Sequence, residues 1–169
     1  MLENKHNHSR LKEGEKANRT MPPVNRFYET DVFCLNSTDT VLEAAKAMQK
    51  HHIGDVVITE NRGGKSIPIG IITDRDIVVS CIAGGKDCKT CQISELISAK
   101  IITAREDDSI SDLVKLMANE GISRLPIVDE EGELTGILSS KRLFQFFAQG
   151  LCELTTISHQ QQERESKTH

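Results

Sequence analysis

Gly70-Ile71-Ile72-Thr73 and Gly136-Ile137-Leu138-Ser139 are one apolar phrase, closing on the same kind of hydroxyl, written twice 66 residues apart. Working outward, the spacing between matching residues upstream of this phrase is 69. Val24 falls on Ile93, Phe27 on Leu96, Thr40 on Ser109, Met48 on Met117 and Ile53 on Ile122. The offset changes in one place, where Asn61-Arg62-Gly63-Gly64-Lys65-Ser66 stands opposite the shorter Glu130-Glu131-Gly132. A repeat at fixed period marks a duplicated supersecondary unit, and a glycine-rich turn is where such a unit tolerates a change of length. Two copies sharing one core, with a cleft between them, are expected.

Each copy carries the same order of local signals. A short apolar segment, residues 32–35 or 101–103, suits a brief strand. A helix start follows at Thr40-Val41-Leu42-Glu43 and at Ser109-Ile110-Ser111-Asp112. There a hydroxyl accepts from the N3 amide while an acid three residues on reaches back. Leu42, Ala45 and Met48 in one copy, and Ile110, Leu113, Val114 and Met117 in the other, recur at helical spacing and give each helix an apolar face. Two strands come next, residues 55–59 and 67–73 in copy one and 124–128 and 134–139 in copy two, joined by glycine-bearing turns. A second helix closes each copy, residues 75–83 before Gly84-Gly85 and residues 141–148 before Gly150, with glycine as the stop signal. The unit reads strand, helix, strand, strand, helix, and the fold class is α+β. Residues 1–21 and 155–169 are polar and aperiodic, tails outside the packed core, which leaves 22–86 for the first repeat and 87–154 for the second.

At 169 residues and 37% hydrophobic content the chain has enough apolar material for one compact module rather than two independent domains. The absence of Trp and a single Tyr count against an aromatic-lined groove. A formal net charge of −4, without a long basic run, counts against a nucleic-acid surface, because affinity for phosphate backbones needs clustered Lys and Arg. The longest apolar stretches, residues 67–72 and 77–83, fall short of a membrane span, and the polar start lacks the apolar core of a signal peptide. A cytoplasmic location away from membranes is expected. Five Cys, an odd number scattered along the chain, do not read as a disulfide framework.

The duplicated unit, with Gly-Ile-Ile-Thr-Asp-Arg-Asp-Ile at a strand-to-helix junction of one copy and Ser-Arg-Leu-Pro-Ile-Val-Asp in a strand of the other, resembles a tandem pair of cystathionine-β-synthase-type (CBS) domains. The resemblance covers roughly residues 22–150. It implies two small sheets flanked by helices and related by a pseudo-twofold axis, assembly into a homodimeric disc, and adenosine-containing ligands in the clefts between repeats. AMP, ADP or ATP come first among these, with S-adenosylmethionine or a dinucleotide such as NADH behind them.

Thr73-Asp74-Arg75-Asp76 sits where a strand hands over to a helix, so free amides and a hydroxyl collect there for a phosphate. An acid one turn in is suited to ribose hydroxyls. By the resemblance Asp76 takes the ribose, and Thr73 adds its hydroxyl with Arg75 between them. An ordinary capping box, Thr73 at the N-cap and Asp76 at N3, accounts for the same two residues. In copy two Ser139 keeps the hydroxyl, but Arg142 stands where Asp76 would, so one well-formed cleft is expected, the other being empty or using Arg142 on phosphate. Ile53, Val56, Val57 and Ile58 in copy one and Ile122, Leu125, Pro126 and Ile127 in copy two are candidates to line an adenine slot, or else, for most of them, plain core. Pro126 removes a ladder donor and marks a strand edge or end. Arg124 is the cation best placed to reach a phosphate from the opposite repeat, an exposed Arg without a ligand being the alternative, and Thr103 is a purine-edge contact by resemblance, with Cys34 as its weaker first-copy equivalent.

Cys88-Lys89-Thr90-Cys91, with Cys81 seven residues before, is the competing signal, a redox pair or part of a metal site. One CxxC without a fourth ligand is a poor zinc set. The His51-His52 pair at a helix end reads as structural, and His6 and His8 belong to the N-terminal tail. No nucleophile with an oriented base and no paired catalytic carboxylates stand out, so the expected role is regulatory rather than catalytic. The ligand is expected to shift a conformational equilibrium that a protein partner or the dimer reads. A structural dimerisation module with degenerate sites, and a thiol redox or metal-responsive protein, are the alternatives.

Overall fold

The computed structural model describes residue 24, residues 27–97 and residues 101–166, with side chains through residue 157. The expected N-terminal tail, with His6 and His8, lies outside the described residues. The first repeat comprises β2 (Cys34–Asn36), α1 (Val41–His51), β3 (Asp55–Arg62), β4 (Lys65–Thr73), a one-turn helix α2 (Asp74–Asp76) and a π-helical continuation (Ile77–Ile82). The second comprises β5 (Ala104–Arg105), α3 (Ile110–Glu120), β6 (Arg124–Val128), β7 (Leu134–Ser139) and α4 (Ser140–Ser166). A short strand β1 (Tyr28–Glu29) precedes the first repeat, and a 3₁₀ turn (Ile93–Glu95) precedes the second.

Local chemistry sets the helix starts. Thr40 closes a full capping box with Glu43 on α1, and Thr73 does the same with Asp76 on α2. Ser109 caps α3 through the Asp112 amide and donates its hydroxyl to the Asp112 carboxylate. The buried stripe of α1 is Val41, Ala44, Ala47 and Met48, one position round from the expected Leu42 and Ala45, which are half-buried. On α3 Ile110, Leu113 and Met117 are buried while Val114 faces out. Both helices end on a left-handed residue at the same repeat position, His52 (φ 55°) and Gly121 (φ 66°). A side chain in that region is strained, and glycine is not. His52→Gly is therefore expected to raise stability by about 1 kcal/mol, measured as a higher urea midpoint at unchanged slope.

Strands β3 and β4 run to Arg62 and from Lys65, longer than the sequence suggested, because Gly63 (φ 65°) and Gly64 (φ 89°) form a two-residue hairpin turn that keeps Arg62 opposite Lys65. The surplus of the first copy is a hairpin tip. Both hairpins slip register at one equivalent point, between Ile58 and Thr59 and between Ile127 and Val128. The leading strands begin later than expected, at Cys34 and at Ala104, since neither pairs with the first two residues of its parallel neighbour: β2 runs beside Val57 to Thr59 and β5 beside Ile127 and Val128. Residues 32–33 and 101–102 are apolar for another reason, given below.

The sheets are β2-β3-β4 and β1-β7-β6-β5. Strand β1, from ahead of the first repeat, is thus hydrogen-bonded into the sheet of the second, with Tyr28 opposite Leu138. The exchange is reciprocal. Tyr28 packs on Gly136 of β7, while Ile97, from ahead of the second repeat, packs on Gly70 of β4. The single shared core of the sequence reading is therefore corrected to two clusters. One gathers Val41, Ala44, Met48, Val56, Ile58, Ile72 and Ile77 with Ile93. The other gathers Ile110, Leu113, Met117, Leu125, Ile127 and Leu138 with Val24, Phe27 and Tyr28.

The helix after β4 ends where expected, ahead of Gly84-Gly85, with Gly85 left-handed (φ 71°), but it does so as a π-helix, Ala83 N–H donating to the Val78 carbonyl. Helix α4 does not stop at Gly150 but continues to Ser166, because Gly150 is not left-handed and the chain after it has no proline and carries helix formers such as Leu151, Glu153 and Leu154.

Candidate functional site

Two clefts lie between the repeats, related by the same 69- and 66-residue offsets. The first, about 470 Å³, is lined by Gly70, Ile71 and Asp76 of one repeat, Ile101, Ile102, Glu120, Ile122 and Arg124 of the other, and Leu96 and Ile97 of the connection. The second, about 650 Å³, is lined by Ile137, Ser139 and Lys141 opposite Val32, Phe33, Cys34, His51, His52, Ile53, Gly54, Asp55 and Val57, with Glu29, Asp31 and Arg124. The apolar residues ahead of β2 and β5 are thus cleft wall rather than ladder.

Asp76 enters the first cleft from a fixed seat. Its Oδ2 accepts from the Thr73 backbone amide at 2.9 Å and from Thr73 Oγ1 at 2.7 Å, while its own amide donates to Thr73 Oγ1 at 3.2 Å. The capping box and the cleft position therefore coexist: one carboxylate oxygen holds the cap, and among the described residues no donor reaches the other. The Thr73 hydroxyl proton is committed to Asp76, so Thr73 positions the acid rather than offering a free donor. Arg75 is exposed and does not line the cleft.

Arg124 and Asp55 open β6 and β3 at equivalent repeat positions, and they meet, Nε to Oδ2, at 2.8 Å. Equivalent residues touch one another only at the pseudo-twofold axis, so this ion pair marks it. Arg124 lines both clefts. Burial raises the Asp55 pKa above the usual carboxylate range, Arg124 opposes that, and the Asp74 and Glu29 charges add to it. Arg142, at the Asp76 position of the second copy, does not line the second cleft: its guanidinium pairs with Glu29 (3.3 Å), while its amide donates to the Ser139 cap. The Asp76 position of the second copy therefore presents no carboxylate.

Of the candidates for an adenine slot, the strand alternation sorts them. Val56, Ile58 and Leu125 are fully buried in the cores, Val57 lines the second cleft and Ile122 the first. Pro126 is buried in a strand that is central in its sheet rather than at an edge, but β5 pairs only with Ile127 and Val128, so Pro126 has a ladder partner on one side alone and its missing amide is tolerated. Thr103 does not line either cleft, whereas its equivalent Cys34 lines the second, its thiol pKa raised by burial. The sequence reading missed Asp55, although the offset that carries Arg124 onto the first copy lands on it. Glu120 and Glu29 had no such signal. His51, read as structural, stacks on Phe33 (4.5 Å) and with His52 also lines the second cleft.

Comparison with known proteins places this arrangement. A model of the CBS domain family matches residues 24–81 and again 93–149. An uncharacterised protein of Methanopyrus kandleri is 41% identical over 122 residues, which span 72% of this chain and 61% of that protein. The CBS domain-containing protein YhcV of Bacillus subtilis is 34% identical over 119 residues, 70% of this chain and 81% of that one. Among solved structures, the CBS domain pair of protein MJ0100 in complex with 5′-methylthioadenosine and S-adenosyl-L-methionine superposes with a TM-score of 0.68 at 27% identity, covering 78% of this chain and 99% of that one. Two family matches in tandem, on a fold with two interdigitated α/β repeats, make this chain a member of the CBS domain family, carrying a CBS domain pair.

Proposed function

We propose that the protein is a regulatory module that binds one adenosine-containing ligand in the Asp76 cleft and transmits its presence as a change in the relative setting of the two repeats. The observation that carries this reading is the meeting, in one cleft, of a preorganised carboxylate from the first repeat with Arg124 from the second, over a wall of Ile71, Ile97, Ile102 and Ile122. A vicinal diol donates two hydrogen bonds, which a carboxylate with an open oxygen accepts. The isoleucines suit a flat purine, and Arg124 can turn to a phosphate or carboxylate. The adenosine-type ligands of the MJ0100 domain pair support the ligand class. Among the described residues no helix is long and apolar enough to cross a membrane.

A ligand touching both repeats favours whichever arrangement brings them together, and only its differential affinity moves the equilibrium. The reader of that shift is a second copy or a partner protein. Phe144, Phe147, Leu151 and Leu154 recur along α4 at coiled-coil spacing and are exposed, which supports self-association through that helix.

Calorimetry with AMP, ADP, ATP, S-adenosylmethionine, 5′-methylthioadenosine and NADH tests the reading. One of them is expected to bind with micromolar affinity, near −8 kcal/mol, one per chain, and Asp76→Ala to weaken it at least tenfold. Failure of the whole panel to bind, or full affinity in the variant, rules the Asp76 cleft out as the site.

A further inference from the structure

The connection between the repeats holds a second chemistry. Cys81, fully buried at the end of the π-helical segment, and Cys88, partly exposed in the loop beyond it, bring their sulfurs to 2.7 Å. Cys91, the other half of the CxxC, is buried and directs its thiol at the Gln92 carbonyl while also lying beside the Cys81 thiol. The close pair is thus not the one the spacing suggested. We propose that Cys81 and Cys88 are a disulfide-forming dithiol, a covalent modification site at which the loop between the repeats is reversibly stapled to the helix that carries Asp76.

Backbone hydrogen bonds on both sides hold the two cysteines near one another. Gly85, left-handed at φ 71°, turns the chain back, and the Lys86 amide donates to the Cys81 carbonyl at 2.9 Å. Beyond the turn the loop is braced from the other side. The Cys88 and Cys91 carbonyls accept from the Leu42 and Val41 amides, two of the free amides of the first turn of α1. A disulfide sets its sulfurs about 2.05 Å apart, so closing the bond asks for a side-chain adjustment and no refolding. Among the described residues no group of three or more His, Cys, Asp or Glu is arranged to hold a metal.

The order of events follows from exposure. Cys88 is the thiol a small oxidant reaches, and burial pushes the Cys81 thiol up to about 12, so Cys81 stays protonated until its partner is activated. The Cys88 thiolate attacks one sulfur of a low-molecular-weight disulfide RSSR, forming Cys88–S–S–R and releasing RS⁻. Cys81 sulfur then attacks Cys88 sulfur, losing its proton as the bond to R breaks and a second RS⁻ leaves. Two protein thiols are oxidised by two electrons, and one RSSR is reduced to two RSH.

The full chain, incubated with oxidised glutathione and digested with trypsin without reduction, tests this. Cleavage after Arg75, Lys86 and Lys89 puts Cys81, Cys88 and Cys91 on three separate peptides. The expected product links residues 76–86 to residues 87–89 within one chain, is reversed by dithiothreitol, and raises Tm by about 5 °C, as the closing of a short loop in a chain of this size should. Cys88→Ser, at a partly exposed position that keeps the fold, is expected to abolish both the link and the rise. Persistence of the free Cys81 thiol, a glutathione adduct on Cys88 that never resolves, or a link from Cys88 to Cys91 would overturn the proposal.

Discussion

Gly136→Ala is expected to cost about 3 kcal/mol of stability. A Cβ built at Gly136 lies 2.1 Å from Tyr28 Cδ2 and 2.7 Å from the Glu29 backbone oxygen. The Tyr28 ring has little room to yield, because it is buried in the second core and its hydroxyl donates to Glu106 at 2.9 Å. The Glu29 oxygen is main chain. Strand β1 must therefore lift from β7, loosening Phe27 and its edge-to-face contact with Phe146. Gly70→Ala meets only the side-chain carbons of Ile97, at 2.7 Å and beyond, and the isoleucine can rotate, so the cost there is smaller. Gly150→Ala, with open space around it inside α4, is expected to stabilise by roughly 0.5–1 kcal/mol. Urea denaturation of the three variants checks the order. Equal losses at Gly136 and Gly70 would show that the backbone contact of β1 does not decide it.

Arg124→Ala is expected to destabilise by about 2 kcal/mol at neutral pH, less than a fully buried pair because both partners keep some exposure. It leaves Asp55, with its side chain 16% exposed, facing the Asp74 and Glu29 charges without a cation. An acid whose folded-state pKa is raised binds its proton longer in the folded state, so stability falls as pH rises through the carboxylate range. Removing Arg124 raises the Asp55 pKa further, and the penalty should shrink as pH is lowered toward that range. Asp55→Asn in the same background is expected to recover most of the loss. A penalty that is flat with pH and unmoved by Asp55→Asn would assign the loss to packing of the arginine stem instead of to charge.

Much of this was legible because it is local or periodic. Thr40, Thr73, Ser109 and Ser139 each act on amides within one helical turn, whereas the equivalence of His52 with Gly121 and of Arg124 with Asp55 lay in the repeat offset and was missed. Residues 101–102 misled because a cleft wall and a strand ask for the same apolar side chains. Gly150 misled because a glycine stops a helix only when its backbone turns left-handed, which composition does not reveal. The near approach of Cys81 and Cys88 was hidden behind a CxxC whose spacing is conspicuous but whose two sulfurs are not the closest pair.

By itself the amino-acid sequence determined the duplication, the βαββα order of each copy and the capped acid at Asp76, since these depend on residues a few positions apart. Only the tertiary structure decided that Tyr28 crosses to the sheet of the second repeat while Ile97 covers Gly70 of the first, that Arg124 and Asp55 meet on the axis, and that two cores form. Those contacts join residues far apart in the chain, and they are selected by shape at Gly136 and Gly70 and by burial of opposite charges, neither of which leaves a period in the sequence.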